Sequence, residues 1–125
     1  GMAAVYRNAA ATLCLGTTPE GFGLAAAESL ACGTPVLARK IGALAELVPA
    51  GHGMAFLEVN DLDGLVKGFA RSVGKLRHEA ASLGAKYVHA NYALGQMVEG
   101  YRRLMVRGHA AVPRPGQAQR GECDA

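Results

Sequence analysis

Apolar positions change period several times along the chain, and each change marks an element. Ala11-Thr12-Leu13-Cys14-Leu15-Gly16 is a short continuous apolar run closed by Thr17-Thr18-Pro19, which predicts a strand buried on both faces. Pro35-Val36-Leu37-Ala38 and Met54-Ala55-Phe56-Leu57 predict two more strands bounded by Gly and Pro. An alanine-rich segment from about Phe22 predicts a helix that ends at Gly33, a left-handed C-terminal glycine, before Pro35. Met2 to Ala10 reads as a short amphipathic helix with Val5 and Tyr6 as its apolar positions. Ala43 to Val48 is a short helix and Pro49 to Gly53 a turn. Leu62, Leu65, Val66, Phe69 and Val73 recur at helical spacing, so a helix runs from about Leu62 to Leu76 with Asn60 or Asp61 as its cap. Residues from about His78 to Val106 read as two further helices broken near Asn91. Strands alternating with helices imply a parallel α/β sheet. Residues 1–107 form that domain, and residues 108–125, rich in Pro, Gly and Gln without periodicity, form a tail expected to be disordered.

The chemistry concentrates where the first strand meets the alanine-rich helix, at Thr18-Pro19-Glu20-Gly21-Phe22-Gly23-Leu24. Pro19 stops the strand, while Gly21 and Gly23 permit backbone geometries closed to other residues. The N–H groups near Phe22, Gly23 and Leu24 are the orphan donors of a helix N-terminus and, with its partial positive charge, suit a phosphate. Glu20 sits beside that corner. Glu28 lies seven intervening residues on, one turn after Leu24 on the same face. A carboxylate repels phosphate, so the pair reads as acceptors for hydroxyls on either side of it, as a sugar and a ribose present. The strand carboxyl end at Arg39-Lys40-Ile41-Gly42 converges on the same edge, where ligands bind in doubly wound folds.

Composition narrows the class. The 125 residues suffice for one domain, and 50% hydrophobic against 18% charged residues describes a globular chain. No apolar run reaches the ~18 residues needed to span a bilayer, and no basic-then-hydrophobic leader opens the sequence, so a cytoplasmic location is expected. Cys14, Cys32 and Cys123 show no Cys-x-x-Cys spacing, which argues against a disulfide framework or a thiolate zinc site. A net charge of +3 without arginine-rich, aromatic-interleaved runs argues against nucleic acid as a partner.

Glu20-Gly21-Phe22-Gly23-Leu24 with Glu28, followed by Ala31-Cys32-Gly33-Thr34-Pro35-Val36, resembles the signature of the retaining GT-B glycosyltransferases of group 1, family 4-like, which use nucleotide sugars. Ile41 to Val48 is similar to that family's Gly-Gly-x-x-Glu-hydrophobic-Val segment, with Ala43 at the second glycine. Gly53 to Leu57 with Asp61 or Asp63, and Tyr92 to Val98 with Tyr101 to Leu104, resemble its later segments. The resemblance implies a partial Rossmann-like parallel sheet of about three strands, the later portion of a truncated donor-binding domain at the C-terminal end of a GT-B fold. By that resemblance Glu20 is the catalytic-site glutamate that contacts the donor sugar. Gly21, Phe22, Gly23 and Leu24 hold sugar hydroxyls and pyrophosphate, and Glu28 binds the ribose. The implied ligand is a nucleoside diphosphate sugar, with no metal and no cofactor. The family's N-terminal acceptor domain and its basic pyrophosphate clamp are missing, so the isolated chain is expected to be inactive without that domain or a partner chain. Arg39 and Lys40 stand where the family often has a small or acidic pair, and can replace some of the lost positive charge. Two alternatives remain open: a noncatalytic nucleotide-sugar-binding or interaction fragment, and a GT-B nucleotide-sugar epimerase.

Other features read as structural. Asp61-Leu62-Asp63 precedes a helical stripe and reads as capping rather than as a metal site. Gly74-Lys75 lacks the first glycine and the Ser or Thr of a phosphate loop. His52 reads as a solvated turn residue, and Tyr101, Leu104 and Met105 as core. Lys67, Arg71, Lys75 and Arg77 form a basic face that is solvated or touches an anionic membrane peripherally.

Overall fold

The computed structural model describes residues 1–57 and 62–107, apart from the side chains of Leu62, Leu65 and Arg107. Three parallel strands, β1 (Thr12–Cys14), β2 (Val36–Ala38) and β3 (Met54–Phe56), lie in that order in one open sheet. Leu37 sits opposite both Leu13 and Ala55. The helices are α1 (Met2–Asn8), α2 (Leu24–Ala31), α3 (Leu62–Glu79), α4 (Ala85–Tyr92) and α5 (Leu94–Arg107). A short 3-10 helix, Gly42–Glu46, links β2 to β3, and a π-helical turn, Ala80–Gly84, joins α3 to α4. This is the expected α/β architecture, a partial Rossmann-like sheet with flanking helices.

The chain divides into two units, Gly1–Val88 and His89–Ala125. In the first, the core centres on β2, whose Val36, Leu37 and Ala38 are fully buried. Ala26 and Leu30 of α2, Leu44 and Leu47, Leu76 and Ala80 complete it. Alanines on α2 let its backbone approach the sheet, and Ser29 Oγ donates to Thr12 Oγ1 at 2.9 Å, tying the helix to β1. The helix ends as the sequence predicts. Gly33 is left-handed at φ 76°, with Gly33 N–H on Leu30 O and Thr34 N–H on Ser29 O, the two bonds of a Schellman motif.

Four expectations are corrected. β1 is not buried on both faces: Leu13 is 54% exposed, because β1 is an edge strand and only its Thr12 side is tied to α2. The chain does not break after Leu76; α3 runs on to Glu79 and continues through the π turn into α4. That helix packs closely on the turn before β3. A side chain on Gly53 would lie 2.4 Å from Ala80 Cα, and one on Gly84 2.3 Å from His52 O. Val66, expected in the buried stripe, is exposed, whereas Leu76 is buried. In the second unit Tyr101, Leu104 and Met105 are exposed rather than core, since only the last residues of α4 accompany α5 there among the described residues. The capping positions Asn60 and Asp61 and the tail from Gly108 lie outside the described residues.

Candidate functional site

The corner between β1 and α2 lies at the carboxyl edge of the sheet and is exposed at Glu20, Gly21, Phe22 and Leu24. Gly23 is the hinge of the corner, left-handed at φ 86° and buried. Because of that conformation the helix opens at Leu24, two residues later than expected from its alanine-rich pattern. The first bond of the helix ladder runs from Ala27 N–H to Gly23 O at 3.0 Å. The amides of Leu24, Ala25 and Ala26 therefore precede the ladder, and no side chain caps them. Of these three only Leu24 belongs to the segment expected to hold the ligand; Gly21 and Phe22 lie before the helix.

Gly23 is held from behind by the 3-10 helix. A Cβ there would lie 2.7 Å from Leu44 Cδ2 and 3.8 Å from Glu20 Oε2, which puts the Glu20 carboxylate next to the helix opening. The backbone of Glu20 is fixed by the same segment, since Ala43 N–H donates to its carbonyl at 3.1 Å. Gly42, at φ 54°, makes this approach; a Cβ would meet Glu20 O at 2.8 Å. The Glu20 charge also reaches the end of β1. Burial, and then Glu20, push the Cys14 thiol above its ordinary pKa.

Glu28 is exposed on α2 and has a partner the sequence did not reveal. Tyr6 Oη, on the buried face of α1, donates to Glu28 Oε2 at 3.1 Å. Burial raises the pKa of the phenol and the neighbouring carboxylate raises it further, so Tyr6 remains a donor. An ionised carboxylate has about four acceptor sites, and one phenol leaves the rest available. Tyr6 was legible only as an apolar helix position. Thr34 Oγ1 donates to Tyr6 O at 2.6 Å and anchors the same helix.

The other singled-out residues lie elsewhere. His52 is half-buried rather than simply solvated, with Nδ1 3.2 Å from Ala50 O and its ring edge-on to Tyr87 at 5.2 Å. On the basic face of α3, Lys67 pairs with Asp63, and Lys75 with Glu79 at 3.6 Å. Among the described residues no three His, Cys, Asp or Glu group as a metal site, and no helix is long and apolar enough to cross a membrane.

Residues 2–81 match the family model of the glycosyl transferases group 1. The chain belongs to the group 1 glycosyltransferases. Related glycosyltransferases of this kind include the D-inositol 3-phosphate glycosyltransferase of Mycolicibacterium smegmatis, 31% identical over 121 residues, covering 94% of this chain and 27% of that protein. The enzyme of the same name from Mycobacterium marinum is 32% identical over 93 residues, 69% of this chain and 20% of its own length. That from Nocardiopsis dassonvillei is 50% identical over 46 residues, 37% of this chain and 11% of its own. This group 1 glycosyltransferase chain thus spans about a quarter or less of each relative. No solved structure matches it.

Proposed function

We propose that this chain binds the nucleoside diphosphate sugar donor for glycosyl transfer with retention of configuration, at the corner formed by Glu20 to Leu24. Family membership gives the reaction class. What carries the donor-site reading is the exposed opening of α2, where uncapped amides stand beside Glu20 with Glu28 further along the same helix. The uncapped amides from Leu24 onward, with the Gly21-Phe22-Gly23 turn before them, take the pyrophosphate and sugar hydroxyls, aided by the helix dipole. Glu20 accepts from the donor sugar, and Glu28, steadied by Tyr6, accepts from the ribose. Amides fixed before the ligand arrives stabilise the departing diphosphate without reorganisation, so the step needs no metal.

Acceptor binding and turnover require polypeptide beyond this chain, in the same protein or a partner. The relatives carry D-inositol 3-phosphate in their names, which makes a phosphorylated polyol the first acceptor class to test. The reading retains a cytoplasmic setting. Peripheral membrane contact through α3 is weakened, because two of its four cations are already paired. A noncatalytic binder is the second reading, favoured by the small share of each relative that the chain spans. Calorimetric titration with uridine, guanosine and adenosine diphosphates tests the site: saturable binding of one supports it, and binding of none removes it. Binding with no transfer, even when the chain is joined to an acceptor domain, selects the second reading.

A further inference from the structure

Arg39 follows the last residue of β2 at the carboxyl edge of the sheet. Backbone bonds at both ends lay its loop along the corner before α2. Arg39 N–H donates to Cys14 O at 3.0 Å, and Ala43 N–H donates to Glu20 O at 3.1 Å. The side chain is partly buried, and its Nε is the one buried side-chain polar atom without a hydrogen-bond partner among the described residues. A guanidinium offers five N–H donors and no acceptor, so each one buried without a partner costs stability. Natural structures rarely leave such a donor unanswered unless something else answers it.

We propose that Arg39 recognises the phosphate oxygens of the bound nucleoside diphosphate, its planar fork presenting two parallel N–H donors to them. The inference rests on the donor-site reading above and adds to it a full positive charge. Two acidic side chains flank the corner, and amides alone supply only partial charges. Arg39 brings a full positive charge from the neighbouring strand end, so discrimination rises with the number of phosphates. A nucleoside gains nothing from it, a monophosphate gains some, and a diphosphate most.

The test is calorimetric titration of the native chain, Arg39→Met and Arg39→Lys with uridine, guanosine and adenosine diphosphates, then with the nucleoside and monophosphate of whichever base binds tightest. Arg39→Met is expected to weaken the diphosphate roughly ten- to a hundredfold, the monophosphate less, and the nucleoside not at all. Arg39→Lys restores part of the loss. Thermal unfolding of Arg39→Met is expected at or above the native temperature, because a partly buried unpaired charge has gone. A lowered melting temperature with all three ligands weakened alike overturns the proposal in favour of a structural role. Unchanged diphosphate affinity overturns it and leaves the donor site standing, whereas no binding of any diphosphate to the native chain removes both.

Discussion

The Tyr6 hydroxyl on Glu28 decides how much freedom the proposed ribose acceptor has. Glu28→Gln keeps the shape and removes the charge, so nucleoside diphosphate affinity is expected to fall by about 1.5–3 kcal/mol, read by titration. Tyr6→Phe leaves the carboxylate charged but less fixed, and is expected to cost less. The phenol gives a second readout, in stability against pH. Its pKa is raised above the ordinary 10.0 in the folded state, so its contribution is complete below that value and is lost as pH rises through the folded pKa. The alkaline fall in stability is therefore expected to be shallower in Tyr6→Phe, and an identical fall would contradict the burial of this phenol. Little of this was legible in the sequence. Glu20 and Glu28 carried a recognisable spacing, but Tyr6 lies 22 positions from its partner and only the packing of α1 on α2 joins them.

At the level of elements, Gly84 and Gly33, one in the π turn and one beside it, behave unlike each other. Gly84 stands in a helical turn, where Gly→Ala ordinarily stabilises by about 0.5–1 kcal/mol. Here the added methyl would lie 2.3 Å from His52 O, so Gly84→Ala is expected to destabilise by about 1–3 kcal/mol in chemical denaturation. Gly33→Ala meets Ala81 only at ordinary van der Waals distance, 3.5 Å from its Cα, but is strained by a left-handed backbone at φ 76°, at a cost of about 1 kcal/mol. The second of these was readable from Gly33 preceding Pro35; the first was not. A pattern of apolar spacing does not show that a helix widens to a π turn where another backbone crosses it, and so the sequence placed a break after Leu76. α2 opens at Leu24 rather than near Phe22 because the positive φ of Gly23 excludes that glycine from the helix. In α5, the carboxylate of Glu99 accepts from Arg102 at 2.8 and 3.0 Å and from Arg103 at 2.8 Å. These bonds hold its pKa down at about 2 rather than 4.5. Carbon-detected titration is expected to show Glu99 bound to both arginines above pH 4.5 and released as pH falls through about 2, with the midpoint moving up at high salt.

For the whole molecule, the sheet order and the convergence of strand ends with the opening of α2 followed from the alternation of elements, since parallel strands joined by helices bring those ends to one edge. What the alternation did not give was cover: β1 is an edge with an exposed Leu13, and the apolar positions of α5 stand exposed. The proposed donor site places a nucleoside diphosphate on the corner at that edge. Amide chemical-shift mapping during titration with uridine, guanosine and adenosine diphosphates tests it most directly. Saturable shifts led by Gly21 to Ala26 and Glu28 are expected, reduced together by Glu28→Gln at the same ligand concentration. Saturable shifts confined to α3 or to the far ends of the strands, or no shifts with any of the three, would contradict it.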